Sequence, residues 1–306
     1  MITYRKTDWI KAIWYFHTGE TIVALLKRLL IVLVYATFVT VFEISYLHQR
    51  LTNTPTEFFS ALGILLSLLL IFRTNTAYDR FYEGRTAWGS LVNNCRNLAV
   101  YIDSVLPADR QTERFFFTKM ISNFPFALKN HLRDHRIIEE LEITDGFDDI
   151  KRFEHLPNAV ALQLRKRVES LYREGVITDA QLINANDMLL TFLNVAGVCE
   201  RIKSTPIPFS YSFFIKLFIL IFVTLLPFSI LEVYGYITIP AVLIMSYVLI
   251  GLEMIGEEIE EPFGTEQNDL PLDQISRNIR ISVHEILNIS LPQQEKAAQR
   301  DFAIVT

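Results

Sequence analysis

Long stretches without any charged residue constrain the fold of this chain more than any other feature. A membrane-spanning helix needs about 20 consecutive, mostly apolar residues. Of the four uncharged stretches, the last reaches that length alone, and the others reach it with flanking polar residues that snorkel or face the bundle interior. Four such stretches are difficult to house in the core of a soluble protein of this size. The sequence therefore predicts four transmembrane helices, built on residues 29–42, 58–72, 217–231 and 233–252.

Basic residues mark one side of the predicted spans. Lys27 and Arg28 precede the first span, Arg73 follows the second, and Lys216 precedes the third. The two remaining loops are short and carry little positive charge. Because Lys and Arg concentrate in cytoplasmic loops, we predict a protein of the cell membrane with both termini, and the region between the second and third spans, in the cytoplasm.

The region between the second and third spans is predicted to be a helical domain. Apolar residues recur there at helical spacing, for example over 86–106, without a convincing alternating strand pattern. Ahead of the first span, Trp14 and Tyr15 indicate an interfacial helix. The predicted fold is an all-α membrane protein with four transmembrane helices and a helical cytoplasmic domain. Its parts are an interfacial segment at 1–28, transmembrane helices 1 and 2 at 29–72, the cytoplasmic domain at 73–205, transmembrane helices 3 and 4 at 206–255, and an acidic segment with the C-terminal tail at 256–306.

Composition and motifs argue against several classes of function. A net charge of −5 gives a nucleic-acid partner no electrostatic support. The sequence shows no Gly-rich phosphate loop and no Ser–His–Asp set, so we predict that the chain is not an enzyme. A metal-dependent membrane enzyme would need a further set of ligands, and a transporter usually shows repeated halves and broken helices, for which only Pro227 and Pro240 are hints. These two classes, a metal-dependent membrane enzyme and a transporter, are the alternatives to a passive ion pore.

The second span carries one stripe of candidate functional residues. Ile64, Leu68 and Phe72 lie four residues apart and so share one helical face. Glu57 and Ser60 continue this face toward the outside. Such a stripe can pack against lipid or protein, or it can line a pathway. A carboxylate at the outer end of a span usually faces water or a pathway, which favours the second interpretation. On that interpretation, residues on other sides of the helix, such as Leu69, face lipid.

Two groups of residues could hold a cation. Glu266 and Asp269 lie in an acidic segment after the fourth span, and carboxylates suit a hard cation such as Ca²⁺, although the EF-hand spacing is missing. His131 and His135 lie four apart on a predicted helix, but no Glu follows His131 as the metalloprotease signature requires. We therefore predict a surface histidine pair, no required cofactor, and at most a weak divalent-cation site at the acidic segment.

Three segments carry a resemblance to a known family, namely Phe72–Gly89, Ile207–Tyr211 and Glu261–Asp273. They resemble bestrophins, chiefly the bacterial homologues. The resemblance implies a homopentamer around one central pore, in the inner membrane of a bacterium. The expected partners are further copies of the chain, membrane lipids and permeant inorganic ions.

The resemblance also implies roles for particular residues. In the family, the second span lines a narrow apolar neck, which maps onto Ile64, Leu68 and Phe72. A second, cytoplasmic constriction, the aperture, maps near Ala180 or Leu182. Eukaryotic bestrophins carry a calcium clasp after the fourth span, but amides interrupt the matching acidic run here.

The bacterial homologues are cation-selective as a class, and the resemblance implies the same selectivity for this chain. Five Glu57 side chains at the mouth would also concentrate cations. The predicted function is thus a pore for small monovalent cations such as Na⁺ or K⁺. A chloride or anion channel of the same architecture is the alternative.

Overall fold

The structure is a computed structural model that describes residues 20–47, 56–266 and 268–291. All regular elements in these ranges are helical, which confirms the predicted all-α fold. Residues 1–19 of the predicted interfacial segment lie outside the described residues, as do the C-terminal tail beyond 291 and Gln267, whereas residues 20–28 belong to the first helix. The elements are α1 (Glu20–Phe42) with a π-helical extension (Glu43–Leu47), α2 (Thr56–Val105), α3 (Gln111–Leu132), α4 (Phe147–Lys151), α5 (Leu156–Arg173), α6 (Asp179–Ser204), α7 (Phe209–Tyr234), a short 3₁₀ turn (Gly235–Ile237), α8 (Thr238–Glu260) and α9 (Leu272–Ile286).

Within the described ranges, four helical stretches are long and apolar enough to cross a membrane. They are Ile22–Tyr46, Glu57–Val105, Asp179–Ser204 and Phe209–Glu260. The last of them contains both α7 and α8, so the four predicted spans fall within three of these stretches. The remaining one is α6, which the sequence assigned to the cytoplasmic domain. Its Phe192 is fully buried and packs edge-on against Phe124 of α3, with ring centroids 4.9 Å apart.

The described residues form two compact units. The membrane unit comprises 20–47, 56–80 and 206–261, and the polar unit comprises 81–205, 262–266 and 268–291. Helix α2 contributes to both units and is unbroken, whereas the sequence predicted a span ending at Phe72 and a separate helix at 86–106. The reason is that no proline occurs between Pro55 and Pro107, so nothing in the sequence stops the helix. The predicted domain boundaries stay predictions.

The membrane unit buries an apolar core and a group of paired charges. Leu66 and Leu70 of α2 are buried against residues of α1, α7 and α8. Arg73 Nη1 lies 2.8 Å from Glu253 Oε1 of α8, and the two residues are only 1% and 2% exposed. Arg73 Nη2 also lies 3.9 Å from Glu260 Oε2, so two carboxylates compensate the buried guanidinium, whose charge would be costly if it were isolated.

The polar unit is built around α3, which is buried along most of its length. The helix is rich in phenylalanine, and Phe116, Phe117 and Phe124 fill the core of the unit. Helix α6 begins with a capping box between Thr178 and Gln181, as expected for a helix start at this position.

Candidate ion pathway

The predicted neck residues lie on the side of α2 that faces away from the core of the membrane unit. Ile64, Leu68 and Phe72 are 71%, 48% and 55% exposed. At 3.6 residues per turn, Glu57, Ile64 and Phe72 all lie within about 40° of Leu68 around the helix axis. Ser60 is exposed and lies about 80° from Leu68 on the same side. The structure thus brings the predicted stripe together on one exposed face.

The exposed face of α2 is mixed in polarity. Beyond Phe72 it continues with Asn75 and Asp79, which are both exposed and lie within about 20° of Leu68 around the axis. Ser67 donates its hydroxyl hydrogen to the Gly63 carbonyl at 2.8 Å, which satisfies its hydrogen-bonding need within the helix. The apolar stripe is therefore bounded by carboxylates, Glu57 on one side and Asp79 on the other.

Leu69, which the sequence placed on the lipid-facing side of α2, does not face lipid in this way. It is half-buried and packs against the core of the membrane unit. Its carbonyl accepts the hydroxyl of Tyr211 at 3.4 Å. The prediction for Leu69 was wrong because a spacing of one residue, about 100°, turns a side chain from the exposed face toward α7.

The two aperture candidates have different environments within the polar unit. Ala180 is exposed in the first turn of α6, whereas Leu182 is half-buried and packs against the core. Ile183 lies three positions after Ala180 on the same side of α6 and is 61% exposed.

Basic side chains already hold the acidic segment of the polar unit. The Asp269 carboxylate is buried and accepts the Glu266 backbone N–H at 2.7 Å. Arg133 Nε donates to the carbonyl oxygens of Phe263 at 3.2 Å and Gly264 at 3.1 Å. These contacts use oxygens of the kind that a hard cation would take. The role of Arg133 could not be predicted, because it lies in a different part of the chain.

Arg133, together with Lys129, also pairs with Asp273. Lys129 Nζ lies 2.7 Å from Asp273 Oδ1, and Arg133 Nη1 lies 2.7 Å from Asp273 Oδ2. Burial by itself raises the pKa of Asp273, but the hydrogen bonds from Lys129 and Arg133 outweigh it and hold that pKa below its ordinary value. Asp273 is thus a carboxylate with two firm cationic partners.

The two histidines of the predicted pair do not share a helix, because α3 ends at Leu132. His135 is exposed, whereas His131 packs beside His155, with ring centroids 4.1 Å apart. Both of these rings approach Glu200 Oε1, His131 Nε2 at 3.3 Å and His155 Nε2 at 2.7 Å. Burial, and then the neighbouring His155, lower the pKa of His131 below its usual value. His155 and Glu200 were missed, because the three residues come from distant parts of the chain.

Comparison with known proteins identifies the family. A family model described as bacterial/fungal bestrophin protein matches residues 1–285. The chain belongs to the bestrophin family. A voltage-dependent anion channel-forming protein of Nostoc sp. is 35% identical to this bestrophin over 94% of the chain and 95% of its own length. The voltage-dependent anion channel-forming protein YneE of Escherichia coli is 32% identical over 92% of this chain and 93% of its own length.

A solved structure shares the fold of this bestrophin. A bacterial bestrophin homologue from Klebsiella pneumoniae superposes with a TM-score of 0.81 at 26% identity, over 87% of this chain and 99% of that one. The relatives' names describe channel-forming proteins, which confirms that the chain is an ion channel of the membrane and not an enzyme.

Proposed function

We propose that this bestrophin assembles as a homopentamer around one central pore, with Ile64, Leu68 and Phe72 forming its neck. The observation that carries the proposal is the exposed stripe on α2, which points away from the core of its own chain. A single chain has too few spans to enclose a pore, so the stripe needs further copies to form a ring. The kinship with bestrophins supports this assembly.

The neck restricts ion flow because its lining is apolar. An apolar ring offers an ion no replacement for its hydration shell, so a narrow ring of Ile64, Leu68 and Phe72 side chains opposes conduction. The polar residues on either side of the stripe keep the approaches to the neck wet. Conduction therefore depends on the width of the neck, which side-chain size controls.

For the permeant ion, we favour small anions. The support is the names of relatives at 32% and 35% identity over more than nine-tenths of the chain, which are called anion channel-forming proteins. This reverses the order of the two predictions made from the sequence, where cations came first. The neck itself is apolar and carries no charge that selects either sign.

A monovalent cation channel is the second candidate, and one observation favours it. Glu57 is exposed at the start of α2, close in angle to the neck stripe. Five such carboxylates near a pore mouth attract cations and repel anions. The two candidates thus predict opposite effects of Glu57 on the current.

Reversal potentials in planar bilayers decide between the two. The purified protein is reconstituted with a tenfold gradient of KCl, and the sign of the reversal potential identifies the more permeant ion. Failure to form any channel, or a monomer by mass measurement in detergent, would contradict the proposed pore altogether.

The remaining features of the proposal concern location and partners. We place the protein in a bacterial inner membrane with both termini and the polar unit in the cytoplasm, because basic residues flank the spans on that side. Its partners are further copies of itself, lipids and permeant ions. It requires no cofactor, and the acidic segment around Glu266 and Asp269 binds a divalent cation weakly, since Arg133 already occupies neighbouring carbonyl oxygens.

A further inference from the structure

A cluster of two imidazoles and a carboxylate lies in the polar unit, apart from the stripe and from the acidic segment. His131 stands in the last turn of α3, His155 is the residue before α5, and Glu200 belongs to the last turns of α6. One ligand atom from each residue lies within 4.8 Å of the other two. We propose that these three residues form a binding site for a divalent transition-metal ion of the zinc class.

The types of ligand determine the class of ion. Zinc-class ions take imidazole nitrogen together with carboxylate oxygen, and three protein ligands with one open position are a common arrangement for Zn²⁺. Ca²⁺ and Mg²⁺ prefer sites made wholly of oxygen. A site with two nitrogens in three ligands therefore discriminates against the hard cations.

The distances between the ligand atoms are close to those around a tetrahedral ion. With bonds of about 2.0–2.2 Å, two ligands of Zn²⁺ lie about 3.3–3.5 Å apart. The His131 Nε2 to Glu200 Oε1 separation is 3.3 Å, which fits without movement. The His155 Nε2 to Glu200 Oε1 separation is 2.7 Å, so that side chain has to withdraw by several tenths of an ångström. A change of rotamer angle supplies a movement of this size.

The surroundings allow an ion to enter. The side chains of His131, His155 and Glu200 are 33%, 29% and 37% exposed, so the cluster opens to solvent on one side. Lys203 Nζ lies 3.4 Å from the His131 carbonyl oxygen and 2.5 Å from Asp134 Oδ1. The Asp134 carboxylate therefore compensates the charge of Lys203 beside the cluster.

Binding at His155 has a consequence for α5. The Nδ1 atom of His155 accepts the Asn158 backbone N–H at 3.2 Å and so caps the helix. An imidazole that gives its Nε2 lone pair to a metal carries its proton on Nδ1 and can no longer accept there. The metal and the cap thus compete for one ring, and a variant that keeps a cap without an imidazole separates the two roles. Asparagine is such a residue, because it is among the best N-cap residues.

Calorimetric titration of the purified full-length protein with ZnCl₂ tests the proposal. The protein carries no histidine tag, and wild type is expected to bind one Zn²⁺ per chain. His155→Asn and Glu200→Gln should each weaken the affinity by at least about tenfold, since even the loss of an outer-shell partner costs 10–100-fold. CaCl₂ should give no comparable isotherm.

His135→Gln is the matched control, because it removes a histidine that lies four residues after His131 but outside the cluster. It should leave Zn²⁺ affinity unchanged. The proposal is overturned if wild type shows no saturable Zn²⁺ binding, if His135→Gln weakens binding as much as His155→Asn, or if Glu200→Gln binds like wild type. Glu200→Gln leaves the α5 cap intact and decides the matter if His155→Asn does not fold. Channel activity plays no part in this measurement, so its result is independent of the proposed function.

Discussion

The exposed faces of α1 and α2 differ, although both helices belong to the membrane unit. Between Leu30 and Phe42, every exposed residue of α1 is apolar. Over Glu57–Asp79, the exposed face of α2 mixes apolar residues with serines, an asparagine and carboxylates. Lipid tolerates the first surface and penalises the second. In the proposed assembly, α1 is therefore the helix that lipid covers and α2 is the helix that lines the pore.

The largest effect is expected when one lysine is placed on each of the two faces. Val34 lies in the middle of the α1 stretch and is 64% exposed, and Ala61 is exposed near the centre of the α2 face. A lysine in mid-membrane against lipid costs about 2.5–3.5 kcal/mol, or roughly 100-fold in insertion. Val34→Lys should therefore reduce the amount of membrane-inserted protein strongly, and Ala61→Lys should not. Quantitative blots of membrane fractions measure both, and equal losses would remove the distinction between the two faces.

A smaller effect is expected at the neck, in single-channel recordings. Leu68→Ala widens the apolar ring and keeps it wet, so conductance should rise severalfold, whereas Leu68→Phe should lower it. Leu30→Ala is the matched control, because it makes the same change at a side chain that is 60% exposed on α1. If Leu68→Ala and Leu30→Ala give the same conductance, the stripe does not line the pathway.

The mouth of the proposed pore should respond less than the neck. Neutralising Glu57 changes the local ion concentration, and salt screens this effect. Glu57→Gln should raise the current at low ionic strength if anions permeate and lower it if cations do. At about 1 M salt the difference from wild type should vanish. A change that persists at high salt would mean that Glu57 acts by contact and not through its field.

The smallest effect is expected outside the membrane unit, at Asp273 of the polar unit. The lowered pKa of Asp273 means that its ionised form stabilises the folded state above about pH 4, the ordinary value for aspartate, and that this contribution is lost as the pH falls through the folded-state pKa. Asp273→Asn should lower the unfolding temperature at pH 7 and flatten its fall in acid relative to wild type. Thermal unfolding at pH 7 and at pH 3 measures this. Parallel pH curves for the two proteins would show that Asp273 carries no such linkage.

Much of the membrane unit could be predicted from the sequence, because uncharged length and i, i+4 spacing are local properties. The stripe of Ile64, Leu68 and Phe72 follows from spacing alone. The environment of Leu69 could not be predicted, since spacing says which residues share a face but not which neighbour covers the other side. The continuity of α2 was missed because a change of polarity was taken for a boundary, although no residue there ends a helix.

The sites of the polar unit could not be predicted in this way. The contacts of Arg133 with Phe263 and Gly264 join residues some 130 positions apart in the chain. The approach of His131 to Glu200 is likewise a product of tertiary packing. No local pattern encodes such pairs, and only the folded chain brings them together.

The buried Arg73–Glu253 pair has a mechanical consequence for the stripe. Arg73 follows Phe72 directly, so its side chain leaves α2 about 100° further round the axis. Because Arg73 is tied at 2.8 Å to Glu253 of α8, α2 cannot turn about its own axis without separating two buried charges, a step that costs several kcal/mol. A turn of about 60° would replace Leu68 at the centre of the exposed face by Leu65 or Ile71. One ion pair therefore sets the torsional register of α2, and with it the choice of side chains that the helix presents.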